Sequence, residues 1–303
     1  MVKYITPAVT PLTGDGQLDT DALEALYEHL IRGRVSGILI LGSIGEFFAL
    51  QLETKQQLIR EAARIIRHRV PLMVGISGMN LPEILALSDA AAEAGADAVI
   101  SVPPYYFHLQ QQEIEAFYSS LAEHVSLPLY LYNFPDRTGY SIAPETVLRL
   151  ARRYPNIVGI KDTIAGMDHT REIIKLLKPE FPHFEVFSGF DDNFAHNALC
   201  GGDGCIAGLS NLAPELCSAW RDAVNRACWS ESAACQQKID RLMDIYAVGS
   251  PFVPFIKEAM VLCGLPMRAR ATFPLPSPSA EQTARLRAIL AREGLIAPNG
   301  ADA

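Results

Sequence analysis

Val158-Gly159-Ile160-Lys161-Asp162-Thr163 is an apolar run that stops at a lysine. Pro155-Asn156 bounds it on one side and polar residues on the other, so it reads as a buried strand whose last residues project from its C-terminal end. Folds of the α/β class keep their chemistry above the carboxyl ends of their strands. An amine held there by apolar walls loses hydration, which favours the neutral form that attacks carbonyls. Lys161 is therefore the candidate imine-forming nucleophile. The plainer alternative is a strand-end lysine that reaches solvent or pairs with Asp162.

Working outward, apolar segments and helix-period segments alternate in both directions. Toward the N-terminus lie a helix over 144–153, a strand over 127–132, a helix over 112–124, a strand over 98–102, a helix over 82–93, a strand over 71–76 and a helix over 53–68. Gly37-Ile38-Leu39-Ile40-Leu41 is apolar throughout, as a strand covered on both faces must be, and it breaks at Gly42-Ser43-Ile44-Gly45-Glu46. Ahead of it, Asp19-Thr20-Asp21 caps a helix over 22–32, and residues 4–12 open the chain as a strand. Toward the C-terminus come a helix over 167–177, a strand over 184–187, a helix over 193–199 and a strand over 204–207.

This alternation implies parallel βαβ units, and their number, about eight, predicts an α/β fold of the (β/α)8 TIM-barrel type. A doubly wound sheet would carry a glycine fingerprint after its first strand, and Gly14-Asp15-Gly16 does not match one. From Ala213 on, only helical patterns remain, over 213–227, 231–246, 253–263 and 280–292. The expected division is a catalytic barrel over residues 1–224 and a C-terminal helical extension over 225–303. Pro274, Pro276 and Pro278 make a stiff linker before the last helix, and the tail after Pro298 is expected to fray.

With 49% hydrophobic and 20% charged residues, the composition is that of globular material. A net charge of -8 without a Lys/Arg stripe argues against nucleic acid and anionic membranes as partners. The opening Met1-Val2-Lys3-Tyr4-Ile5-Thr6-Pro7 lacks the succession of a signal peptide, and no apolar run approaches the ~20 residues of a membrane span, so a cytoplasmic location is expected. The cysteines show no C-x-x-C spacing and the histidines no ligand spacing, so buried free thiols are expected, with no metal and no other cofactor.

In such a barrel the residues that follow each strand meet over one face. They are Thr6 and Thr10 after the first strand, Ser43 and Glu46 after the second, Tyr105 and Tyr106 after the fourth, and Tyr132 and Arg137 after the fifth. Lys161 follows the sixth, Gly189 and Asp191 the seventh, and Ile206 the eighth. The set joins an amine, phenol hydroxyls for proton transfer, a small hydroxyl to relay protons and backbone N–H groups of the 42–45 turn for a carboxylate. Each part also has a structural reading. The 42–45 turn serves as a tight strand-to-helix connection, and Tyr105-Tyr106 serve as packing aromatics. Gly201-Gly202-Asp203-Gly204 is a plain turn, since its spacing is not that of a nucleotide loop. Tyr132-Asn133-Phe134-Pro135-Asp136-Arg137-Thr138-Gly139 is more telling, because a strand ending in tyrosine runs into a polar loop whose arginine can clamp a carboxylate.

Taken together, Gly42-Ser43-Ile44-Gly45-Glu46, Pro104-Tyr105-Tyr106, Tyr132-Asn133-Phe134-Pro135 with Arg137-Thr138-Gly139, and Gly159-Ile160-Lys161-Asp162 resemble the ordered motifs of the dihydrodipicolinate synthase / N-acetylneuraminate lyase family. The resemblance covers almost the whole chain. Within that family, Gly42-Ser43-Ile44-Gly45-Glu46-Phe47, Tyr132-Asn133-Phe134-Pro135, Gly159-Ile160-Lys161-Asp162-Thr163-Ile164 and the helical Pro251-Phe252-Val253-Pro254-Phe255-Ile256-Lys257-Glu258-Ala259 are most similar to bacterial 2-keto-3-deoxy-gluconate aldolases. The resemblance implies that Lys161 condenses with the ketone of pyruvate or of a 2-keto-3-deoxy sugar acid, and that Tyr132 is the general acid/base. It further implies that Ser43 relays protons, with Tyr106 contributed by a neighbouring subunit of a homotetramer, a dimer of dimers. Backbone amides of Ser43 and Ile44 would hold the carboxylate, and Ile44, Gly45, Arg137, Gly189 and Ile206 would line the substrate site.

Two features pull in opposite directions. Ile44 stands where synthases of the family carry a second threonine, which disfavours a synthase, whereas Arg137 matches the arginine with which synthases grip aspartate semialdehyde. Phe47, Phe48 and Leu52 stand where lysine-inhibited synthases carry small polar or imidazole side chains, so lysine feedback is not expected. The expectation is a class I aldolase that cleaves a 2-keto-3-deoxy sugar acid to pyruvate and an aldehyde. Its rivals are the synthase condensing pyruvate with aspartate semialdehyde, a keto-deoxy sugar acid dehydratase, and a binding protein that keeps the barrel without the chemistry.

Overall fold

The apolar runs form eight parallel strands, β1 Lys3–Pro7, β2 Ile38–Ile40, β3 Leu72–Gly75, β4 Ala98–Ser101, β5 Leu129–Asn133, β6 Ile157–Asp162, β7 Glu185–Ser188 and β8 Gly204–Ile206. Each strand pairs with the next, and β8 pairs with β1, so the sheet closes into a barrel. The structure, a computed structural model, describes residues 1–297. The expected fraying after Pro298 lies outside the described residues.

Around the strands lie α1 Thr20–Arg32, α2 Leu52–Ile66, α3 Leu81–Glu93, α4 Gln111–His124, α5 Pro135–Thr138, α6 Pro144–Arg153, α7 Asp168–Leu177 and α8 Phe194–Leu199. After β8 come α9 Pro214–Asn225, α10 Trp229–Leu242, α11 Val253–Leu262 and α12 Ala280–Arg292. Local chemistry sets the helix starts. Asp19 accepts the Ala22 N–H at 3.1 Å to begin α1, and Asn80 accepts the Glu83 N–H at 3.0 Å to begin α3. Pro144 occupies the first position of α6, where its missing N–H costs nothing, and the helix buries Thr146, Val147, Leu150 and Ala151 against the barrel. A Leu150→Ala change would cost about 2–5 kcal/mol through lost transfer energy and the cavity left behind.

Three segments depart from the sequence-based expectations. β1 stops at Pro7; Ala8 still donates to Leu39 O at 2.8 Å, but the chain then turns and Leu12 bridges antiparallel to Leu18. The helix expected over 231–246 ends at Leu242, and Met243–Ala247 tightens into a 3-10 turn. Pro135–Thr138, read as loop, forms the short α5. All six cysteines are free thiols, but only Cys205 and Cys217 are buried; the other four are half-buried.

Register decides what faces the site. On adjacent strands Tyr132 lies beside Lys161 and Asn133 beside Asp162. Side chains alternate along a strand, so the first pair points into the barrel and the second toward the helical layer.

Candidate active site

Lys161 is 4% exposed, and among the described residues its ammonium has no hydrogen-bond or ion-pair partner. Asp162 does not pair with it. Instead the Lys161 Nζ sits 4.4 Å from the centroid of the Tyr132 ring, itself stacked on Phe134 at 6.0 Å. Lys55 and Lys257, the other buried lysines, both pair with glutamates.

Polar contacts behind these two residues hold their strands. Asn133 donates to Asp162 Oδ1 at 2.7 Å, and Asp162 Oδ2 accepts from the Thr170 hydroxyl at 2.6 Å and faces His169 Nδ1 at 3.0 Å. The other ring nitrogen of His169 lies 3.0 Å from Ile142 O, so both nitrogens face acceptors. Burial pushes the His169 imidazole down, but the Asp162 hydrogen bond and charge outweigh it, and the net direction is up from the usual histidine value. Tyr132 is braced separately by its backbone N–H, which donates to Tyr118 Oη at 3.2 Å, while that hydroxyl donates to Ser101 O at 2.7 Å.

The turn after β2 supplies the second half of the site. The Ser43 hydroxyl lies 3.3 Å from the Tyr132 hydroxyl. Within the turn, Gly45 N–H donates to Gly42 O at 3.0 Å and Glu46 N–H to Ser43 O at 3.2 Å. The Ser43 and Ile44 N–H groups donate to no protein acceptor among the described residues, which leaves two adjacent donors for an anionic oxygen.

These residues enclose a cavity of ≈ 300 Å³ lined by Ser43, Ile44, Tyr132, Arg137, Lys161, Gly189 and Ile206, all named from sequence. Gly45 is not in its wall, and its N–H is used inside the turn. Tyr106 also lies outside the cavity, 80% exposed and edge-on to Phe107 at 5.0 Å. Arg137 reaches the wall from α5, with its guanidinium 5.3 Å from the Phe134 ring centroid. Asp191 also lines the wall, but its carboxylate is occupied by the Tyr4 hydroxyl at 2.5 Å, the Tyr246 hydroxyl at 3.0 Å and the Leu209 N–H at 2.9 Å. Burial pushes its carboxyl up from the usual range, and those donors oppose the shift.

Sequence reading missed several wall residues. Thr163, two positions beyond Lys161, lines the cavity; its hydroxyl is buried without a partner among the described residues, and a Cβ at Gly189 would collide with it. Tyr246, Ser250 and Phe252 come from the C-terminal extension, where no local pattern marks residues that fold back over a distant barrel mouth. Among the described residues no three His, Cys, Asp or Glu side chains form a metal-ligand set, and no helix is long and apolar enough to cross a membrane.

A closed parallel barrel with a cavity built around an unpaired lysine at a strand end defines a TIM-barrel enzyme with a lysine-centred site. The chain belongs to the Dihydrodipicolinate synthetase family, whose sequence model matches residues 1–293. It is 38% identical over 290 residues to the Escherichia coli K12 protein named "Putative 2-dehydro-3-deoxy-D-gluconate aldolase YagE", covering 94% of this chain and 95% of that one. It is 36% identical over 292 residues to "Probable 2-dehydro-3-deoxy-D-pentonate aldolase YjhH" of the same organism, covering 96% and 97%. The crystal structure of YagE, a prophage protein, in complex with pyruvate matches with a TM-score of 0.95 at 36% identity, covering 98% of this chain and 99% of that one.

Proposed function

We propose that this enzyme is a class I aldolase, a carbon–carbon lyase that cleaves a 2-keto-3-deoxy sugar acid, such as 2-keto-3-deoxy-gluconate, to pyruvate and an aldehyde through an imine on Lys161. The observation that carries the reading is the buried Lys161 amine, without a partner, in one cavity with the Tyr132 and Ser43 hydroxyls. The aldolase names of YagE and YjhH and the pyruvate held by YagE support the substrate class.

In this reading the neutral Lys161 amine adds to the C2 ketone, and loss of water gives a protonated imine. Tyr132 takes the proton of the C4 hydroxyl. The C3–C4 bond breaks, its electron pair flows to the imine nitrogen to form an enamine, and the aldehyde leaves. Protonation of the enamine at C3 and hydrolysis of the imine release pyruvate and restore the amine. The iminium is the electron sink for the carbanion character at C3. The Ser43 and Ile44 N–H groups hold the carboxylate, Ser43 passes protons between Tyr132 and solvent, and Arg137, Gly189 and Ile206 contact the remainder of the substrate. Tyr106, exposed in the single chain, completes the relay from a neighbouring copy in a cytoplasmic homotetramer. The barrel of residues 1–224 carries the chemistry, and the helical extension that follows it closes the cavity mouth with Tyr246, Ser250 and Phe252.

Arg137 in the cavity wall favours a second reading, the condensation of pyruvate with aspartate semialdehyde. The deciding experiment follows pyruvate release with a coupled dehydrogenase from 2-keto-3-deoxy-gluconate and its stereoisomers, with Lys161→Ala as control. Release that vanishes in the variant supports the aldolase. No release from any of them, with pyruvate consumed when aspartate semialdehyde is added, overturns it in favour of the synthase.

A further inference from the structure

Glu46 and Lys257 are both fully buried, and they form an ion pair between the turn after β2 and helix α11 of the C-terminal extension. Lys257 Nζ also donates to Thr10 O and Arg270 O, each at 2.7 Å. On the other carboxylate oxygen, Glu46 accepts the Thr272 N–H at 2.6 Å and the Thr272 hydroxyl at 2.8 Å. The loop after β1 meets both segments, since Thr10 O accepts from Lys257 and the Thr10 hydroxyl donates to Gly45 O at 2.7 Å.

This arrangement is costly to build. Burial pushes the Lys257 ammonium down, with Glu46 opposing the shift, and a buried ion pair is weak evidence for stability because dehydration offsets the attraction. Glu46 also holds a left-handed backbone at φ 60°, a region that an ordinary side chain enters at a cost of order 1 kcal/mol or more. What the pair fixes is the shape of the 42–46 turn. Glu46 closes that turn through its N–H to Ser43 O, three residues after the Ser43 hydroxyl that meets Tyr132.

We propose that Glu46 and Lys257 are positioning residues, which lock the carboxylate-holding turn to the C-terminal extension and so keep the Ser43 and Ile44 N–H groups and the Ser43 hydroxyl aimed at Lys161 and Tyr132. Neither side chain is in the cavity wall, so neither touches substrate. The proposal rests on the imine reading of Lys161. Its consequence is that the extension takes part in substrate binding, because loss of the pair loosens the donors for the carboxylate while leaving Lys161 and Tyr132 on their own strands.

The test is pyruvate-dependent borohydride labelling of Lys161, titrated with pyruvate in the wild-type chain, Lys257→Met, the charge-free pair Lys257→Met/Glu46→Gln, and Thr272→Val. Thermal melting is followed on every protein. Lys257→Met is expected to raise the half-saturating pyruvate concentration about tenfold, a loss of about 1.4 kcal/mol, with maximal labelling retained. The charge-free pair is expected to recover melting temperature, because no charge stays buried alone, yet to keep the raised half-saturation. Thr272→Val, which removes one donor to Glu46 and keeps the N–H, is expected to raise it about twofold to threefold. Recovery of half-saturation together with melting temperature in the charge-free pair would overturn the proposal, since a purely structural role predicts it. Unchanged half-saturation in Thr272→Val overturns it should Lys257→Met not fold. Absence of labelling in the wild-type chain is a different result, which refutes the imine reading itself.

Discussion

Lys161 at the end of β6 and Lys257 within α11 are both buried, yet their ammonium groups meet opposite surroundings. Lys257 is surrounded by a carboxylate and two carbonyl oxygens, whereas Lys161 has an aromatic ring, a cavity and no hydrogen-bond acceptor among the described residues. Burying an amine without partners is expensive, so a fold that does it at one place and saturates the other is separating two uses of the same side chain. The saturated lysine holds segments together, and the unsaturated one is left available for chemistry. Lys55, buried and paired with Glu83 at 2.7 Å, falls on the structural side of the same division.

The division can be broken first at Lys161. Lys161→Met should lower aldol cleavage by at least about 10⁴-fold, the scale seen when a covalent nucleophile is removed, with no loss of unfolding free energy. Lys257→Met should lose about 3–5 kcal/mol in denaturant unfolding, because Glu46 is left buried beside an apolar chain. Equal destabilisation by the two changes would erase the distinction.

A smaller effect is expected one side chain away. Tyr132→Phe should slow cleavage by about 10²–10⁴-fold, the usual span of general acid/base catalysis, while borohydride labelling of Lys161 by pyruvate persists. Loss of labelling in this variant would show that the Tyr132 hydroxyl is needed to form the imine as well as to break the carbon–carbon bond.

Thr163 sharpens the comparison from the hydroxyl side, since it too is a buried polar group left without a partner. Thr163→Val should reduce kcat/KM for a hydroxylated 2-keto-3-deoxy acid by about tenfold, the loss of one hydrogen bond, and leave pyruvate labelling unchanged. An unaltered kcat/KM would mean that the hydroxyl faces no substrate atom.

The smallest effect concerns the His169–Asp162 contact behind Lys161. Burial lowers the imidazole value, Asp162 raises it further, and the folded value ends above the ordinary 6.5. A raised folded value means that protonated His169 contributes its full stability below about pH 6.5 and loses it as pH rises through the folded value. The advantage of the wild-type chain over His169→Gln, measured by denaturant unfolding at pH 6 and pH 9, should therefore shrink at the higher pH. An advantage that grows would reverse the assigned direction.

Much of this was readable in the chain before folding, for local reasons. Strands buried on both faces must be continuously apolar, so runs such as Gly37–Leu41 and Val158–Ile160 announce a parallel barrel, and a lysine ending one of them announces its own position. The parts that escaped depend on packing between distant segments. A four-residue helix such as Pro135–Thr138 is too short to show a period, so the stretch bearing Arg137 looked like loop. Tyr246, Ser250 and Phe252 reach the cavity only because the extension folds over the barrel mouth. Thr163 carried no warning either, since a hydroxyl lacks a partner only with respect to a finished structure.

The most direct measurement of the central claim is reduction of the wild-type chain with borohydride in the presence of pyruvate, followed by mass mapping of every lysine-containing peptide. The account predicts a single pyruvate-derived adduct, on Lys161, formed only when pyruvate is present. An adduct on any other lysine, or none at saturating pyruvate, would contradict it.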